Sequence, residues 1–171
     1  MNNEAASAIL AKANLLHLGC AGAAFLTPQP TWSLNTPVIL SLGNGWIIWS
    51  LACGAHYVGS LIYAHWLRLA GAAGFLGFPL TDELATRKGN GRFCDFQGGS
   101  IYWSPASGAA ALRGTIRDYW ASLGGVASEL GFPLGEEDAG RGGLTVVQPF
   151  VGGMIVWSKK EATMDHIIVK Q

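Results

Sequence analysis

Titratable groups are sparse in this 171-residue chain, and two adjacent carboxylate pairs, Asp82–Glu83 and Glu136–Glu137, come nearest to an acid/base couple. Glycosidic bond chemistry needs two carboxyls facing one shared bond. Neighbours on an extended loop point apart, so the pairs read as exposed, solvated groups. The histidines His17, His56, His65 and His166 show no zinc-ligand spacing. The cysteines Cys20, Cys53 and Cys94 are odd in number and lack a Cys-x-x-Cys pair, which argues against a disulfide scaffold. No Gly-x-Ser-x-Gly elbow occurs, and the glycines of Gly71–Gly77 lack the strand and helix of a dinucleotide loop. The expectation is no catalytic centre, no cofactor and no metal. Binding chemistry remains. A sugar site sets an aromatic ring against the apolar C–H face of the sugar and polar groups against its hydroxyls. Asp82, Glu83, Gln97, Tyr102, Glu136 and Glu137 are the candidate carbohydrate-binding residues, expected on the surface.

What positions them is a repeat. Leu-Gly-Phe-Pro occurs at Leu76, Gly77, Phe78 and Pro79 and again at Leu130, Gly131, Phe132 and Pro133, 54 residues on. Trp66 and Trp120 each precede the proline by 13 positions. "FQGGSIYW" (Phe96 to Trp103) matches "FVGGMIVW" (Phe150 to Trp157), and the more degenerate "LGNGWIIW" (Leu42 to Trp49) lies one period upstream. Trp49, Trp103 and Trp157 therefore share one 54-residue frame. In the first copy "FLTP" (Phe25 to Pro28) stands in the corner position.

One unit reads as helix, corner and β-hairpin. Ile62, Trp66 and Leu69, and Ile116, Trp120 and Leu123, fall at helical spacing, and Ala11, Leu15 and Leu18 continue the stripe in copy one. Thr115 is placed to cap its helix, and Gly71, Gly124–Gly125 and Gly19 to end the helices. Leu-Gly-Phe-Pro itself reads as a structural corner, with Leu76 and Leu130 buried. Gly98–Gly99, Asn44–Gly45 and Gly152–Gly153 are the expected hairpin turns. The repeat-equivalent tryptophans are expected in the core. The fold class is α+β, a single repeat domain with units at about residues 5–58, 59–113 and 114–171.

Composition narrows the partners. Half the residues are hydrophobic, 13% are charged and the formal net charge is zero, so a phosphate-neutralising nucleic-acid surface is not expected. Leu15–Leu26 is apolar but follows no basic run, and it reads as the start of a repeat rather than an export signal. Val38–Cys53 is too short for a membrane span and carries Gly43-Asn44-Gly45 at its middle, which reads as a hairpin.

These motifs resemble the LGFP-repeat family of actinobacterial cell-envelope proteins, which includes C-terminal regions of some mycolyltransferases and some cell-wall hydrolases. The resemblance is good over about residues 59–157 and poor over 9–58. It implies a pseudo-symmetric, propeller-like array and a non-catalytic module that anchors to cell-wall polysaccharide such as arabinogalactan. It also implies a cell-envelope or extracellular setting. This chain departs from the family in having three units and no attached catalytic domain. An alternative is a structural or assembly protein, such as a virion or particle subunit. Trp46–Ile48 and Ile167–Val169 would then meet other protein chains in a homo- or hetero-oligomer.

Overall fold

The structure, a computed structural model, describes residues 3–15, 37–140 and 143–169. Phe25–Pro28, Leu18, Gly19, His17 and Cys20 lie outside them. In chain order the elements are α1 (Asn3–Leu15), β1 (Val38–Leu42), β2 (Gly45–Ser50), β3 (Gly54–Gly59), α2 (Ser60–Arg68), β4 (Leu84–Ala85), β5 (Arg92–Phe96), β6 (Gly99–Ser104), β7 (Gly108–Leu112), α3 (Gly114–Ser122), β8 (Asp138–Ala139), β9 (Thr145–Phe150), β10 (Gly153–Ser158) and β11 (Thr163–Ile168). Short 3₁₀ turns, Gly71–Ala73 and Gly125–Ala127, follow α2 and α3. The class is mixed α/β, with three antiparallel sheets ordered β1-β2-β3, β4-β5-β6-β7 and β11-β10-β9-β8. Two compact units are formed by residues 1–84 with 94–97, and by 85–93 with 98–171.

The three sheets keep one register. Trp49 pairs with Val38 across one hairpin and Trp157 with Val146 across another. On the other side Trp49 faces Ala55, Trp103 faces Ala109 and Trp157 faces Met164. The third pairing is one residue longer because four residues, Lys159 to Ala162, make its turn instead of three.

Each repeat thus carries a third strand, β3, β7 or β11, beyond the expected two-stranded hairpin. The turns also sit one residue earlier than expected, at Gly43–Asn44, Gln97–Gly98 and Val151–Gly152. The second glycine of each pair opens the outgoing strand instead. In that place a Cβ on Gly45 would collide with the Tyr57 ring, and one on Gly153 with the Ile167 carbonyl.

In the first unit α1 covers the sheet β1-β2-β3. Ala5, Ile9 and Ala13, at a four-residue spacing that lines one helix face, pack on Val38, Leu40, Leu42, Ile47 and Trp49. The expected stripe of Ala11 and Leu15 is wrong: both are exposed, because the helix begins earlier and turns its small residues inward. Ile47 and Ile48 are fully buried, since β2 is covered on both sides. Trp46 stacks on Tyr63 at 3.9 Å, and Tyr63 and Trp66 lead on to Phe96.

In the second unit Leu112, Ile116, Trp120, Leu130, Val146, Phe150 and Ile155 form the core. Trp66 and Trp120 are buried as expected, and so is Trp49, whereas Trp103 and Trp157 are only half-buried. Thr115 does not cap α3. The cap position is Arg113, whose side chain makes no capping bond, and Thr115 lies in the first turn, exposed. Ile167 and Ile168 belong to β11, paired along β10.

Candidate functional site

The Leu-Gly-Phe-Pro segment is built identically in both complete copies. Leu76 and Leu130 are buried. Gly77 and Gly131 have φ of 65° and 67°, a left-handed conformation cheap for glycine alone. Each turns its carbonyl onto an indole: Trp66 Nε1 donates to Gly77 at 2.9 Å and Trp120 Nε1 to Gly131 at 3.1 Å. The chain then runs along the incoming hairpin strand. Pro79 bridges to Phe96 and Pro133 to Phe150, while Leu80 N–H donates to the Asp95 carbonyl and Leu134 N–H to that of Pro149. The tetrapeptide is a corner that anchors helix to sheet.

The acidic pairs are not simply solvated, as the sequence suggested. Each reaches back to the outer edge of the preceding third strand. The Asp82 carboxylate accepts from Tyr57 N–H at 3.0 Å and the Glu83 carboxylate from Gly59 N–H at 2.8 Å, while Glu83 N–H donates to the Tyr57 carbonyl. One period on, Glu136 accepts from Ala111 N–H at 3.3 Å, and Glu137 pairs with the Arg113 guanidinium. Tyr57 and Ala111 are 54 residues apart, as are Gly59 and Arg113. Asp82, Glu83 and Glu136 therefore take edge-strand N–H groups that would otherwise be unmatched by a ladder, and Glu137 secures the same edge through the Arg113 side chain.

Asp82 is also held by Lys12 at 2.9 Å and lies 3.5 Å from His56. Burial alone would raise its pKa. The Lys12 and Tyr57 hydrogen bonds, with the charges of Lys12 and His56, outweigh that and hold it below the ordinary carboxylate value.

The remaining candidates divide. Gln97 is exposed on its turn, with its amide oxygen accepting from Phe78 N–H at 3.0 Å. Tyr102 is half-buried rather than surface-exposed, stacked on Phe93 at 5.3 Å and edge-on to Trp120 at 4.8 Å. Glu137 lines a cleft within the second unit. The cleft has a volume of about 510 Å³, and Arg113, Thr115, Val146, Trp157 and Lys159 line it with Glu137. Lys159 Nζ stands 5.9 Å from the centroid of the Trp157 ring, close enough for a cation–π contact. Sequence reasoning missed Trp157 and Lys159 as site residues because Trp157 sits at a repeat position that is buried in copy one.

A second concavity, in the first unit, is lined by Pro37, Ile39, Trp66, Ala70, Phe78 and Gln97 and has a volume of about 680 Å³. Its lining is mostly apolar. The Cys94 thiol is pushed up by burial and donates to the Thr81 carbonyl, a structural role. Among the described residues no cluster of three His, Cys, Asp or Glu could hold a metal ion, and no helix is long and apolar enough to cross a membrane.

Copies of one corner, one clasp and one sheet register define a tandem-repeat protein. The chain belongs to the LGFP repeat family, whose profile matches residues 76–128 and 130–170. Both matched repeats begin at or next to the corner leucines. No curated protein matches the chain.

Proposed function

We propose that the chain is a non-catalytic repeat module that attaches to cell-wall polysaccharide, arabinogalactan being the glycan to test first. The observation that carries this reading is the Trp157 cleft. A half-buried indole face sits beside an ammonium, a guanidinium–carboxylate pair and the Thr115 hydroxyl. The ring would cover the apolar face of a sugar, and the polar groups would take its hydroxyls. The cleft has the size of ordinary small-ligand sites. In this reading Asp82, Glu83 and Glu136 act through the clasp, by holding the repeat in shape. Repetition would supply avidity from weak single contacts. The propeller-like arrangement of three units and a cell-envelope location are parts of the same proposal.

Co-sedimentation with arabinogalactan tests it. Trp157→Ala and Lys159→Ala should each weaken retention about tenfold, with an unchanged denaturation midpoint for the exposed Lys159. Full retention by both variants would remove the cleft from consideration.

A second reading, assembly with other protein chains, is favoured by one repeated feature. Leu80 and Leu134, directly after the two corner prolines, are 48% and 47% exposed. Unburied leucines at equivalent positions suit a protein contact. Light scattering that gives a monodisperse 18 kDa particle would count against it.

A further inference from the structure

The clasp provides a rule that the third copy leaves open. Strands β3, β7 and β11 occupy equivalent edge positions in their sheets. Ile47 faces Tyr57, Ile101 faces Ala111 and Ile155 faces His166, so His166 is the counterpart of Tyr57 and Ala111. Gly45 faces Gly59 and Gly153 faces Ile168, so Ile168 is the counterpart of Gly59. The inward N–H groups match as well: Val169 N–H donates to the Gly152 carbonyl as Ser60 N–H does to that of Asn44. The N–H groups of His166 and Ile168 therefore point outward, where the other copies receive an acidic pair. In the third copy the His166 N–H is taken by the carboxylate of its neighbour Asp165, at 2.8 Å. Among the described residues Ile168 N–H has no hydrogen-bond partner.

We propose that the outer edge of β11 is a receptor for a further acidic Leu-Gly-Phe-Pro corner, distinct from the two within residues 76–137. The occupant follows from chemistry on two counts. Where the same edge is filled, it is filled by the two acidic residues that follow such a corner: at β3 both take strand N–H groups, and at β7 Glu136 takes the Ala111 N–H while Glu137 takes the Arg113 side chain. A second folded copy of this chain has no such pair to spare. Asp82–Glu83 and Glu136–Glu137 are engaged, and no Asp or Glu occurs between Glu4 and Asp82 to equip the first copy. The partner is thus a different repeat with a free acidic corner. Asp165 holds the place of the first carboxylate until the partner displaces it.

The probe is a synthetic peptide with the sequence of residues 126–140, titrated into the isotope-labelled full chain and followed through the backbone amide signals. Saturable shifts at His166 and Ile168 are expected. The same peptide with Gln at both Glu136 and Glu137 should bind about tenfold more weakly, since a charge-assisted bond is lost at each position. Asp165→Ala, an exposed change, removes the internal competitor and should tighten binding about threefold. Ile168→Pro deletes the outward N–H and should abolish the shifts. Absence of saturable shifts at the two amides, equal binding of the Gln peptide, or no tightening in Asp165→Ala would overturn the assignment.

Discussion

The indole of Trp120 donates its only hydrogen bond to the carbonyl of Gly131, 11 residues later, at 3.1 Å. Trp66 and Gly77 repeat the bond at 2.9 Å. A helix side chain thereby fixes the one left-handed residue of the corner. Trp120→Phe keeps an aromatic ring against Phe150 but leaves the Gly131 carbonyl without its donor. The expected cost is about 1–3 kcal/mol, read from urea denaturation. A midpoint equal to the parent's would show that the corner holds without the indole.

The corner leucines should be among the costliest truncations. Leu130 is buried among Trp120, Phe150 and Ile155, and Leu130→Ala should lose about 2–5 kcal/mol through lost contacts and the residual cavity. Leu134→Ala, three residues from the corner glycine and exposed, should change stability by less than about 0.5 kcal/mol. Comparable losses at both positions would contradict the burial pattern.

Ala70 and Gly124 are repeat-equivalent, and both have positive φ, 69° and 106°. An L-residue is strained there, and glycine is not. Ala70→Gly should therefore stabilise the protein by about 0.5–1 kcal/mol, and Gly124→Ala should destabilise it by about 1 kcal/mol. A Cβ on Gly124 would meet nothing closer than Ser128 at 3.8 Å, so the effect isolates backbone strain. Thermal melts giving the opposite order would refute the assignment of strain to Ala70.

Acid should loosen the first clasp. Asp82 binds its proton less readily in the folded chain than in the unfolded one. Its contribution is complete above the ordinary carboxylate value and is lost as pH falls through the lower folded value. Asp82→Asn should lower stability near neutral pH and flatten that part of the acid limb. An unchanged pH profile in the variant would show that Lys12 and Tyr57 do not bias the proton.

The corner and the sheet register were legible because both rest on residue types with fixed jobs. Glycine at positive φ, proline at a bridge and tryptophan at a constant offset recur where backbone geometry leaves few substitutes. The third strands were not legible. "GAAAL" has neither the alternation nor the β-branched content of a strand and "TMDHII" lacks the alternation, and they are ordered by pairing with β6 and β10. The only trace in the sequence was Gly54 and Gly108 recurring at the same period. The clasp was hidden for a different reason. Apart from the Arg113 guanidinium its donors are backbone N–H groups, which every residue except proline supplies, so Tyr57 and Ala111 need not resemble each other. Tyr102 was misplaced because an aromatic residue beside a turn looks the same whether it faces solvent or the next helix.

The clasps also bear on the order of folding. Those on β3 and β7 join residues only 24 or 25 apart, and the indole bonds span 11. Loops this short close at little entropic cost, and contacts of low sequence separation form early. The Lys12–Asp82 ion pair closes 70 residues, although α1 also packs on β1 and β2, which precede that corner in the chain. The strand edges of β3 and β7 should thus be covered soon after their own corners leave the ribosome, and the Lys12–Asp82 pair closes only once the first of those corners is in place.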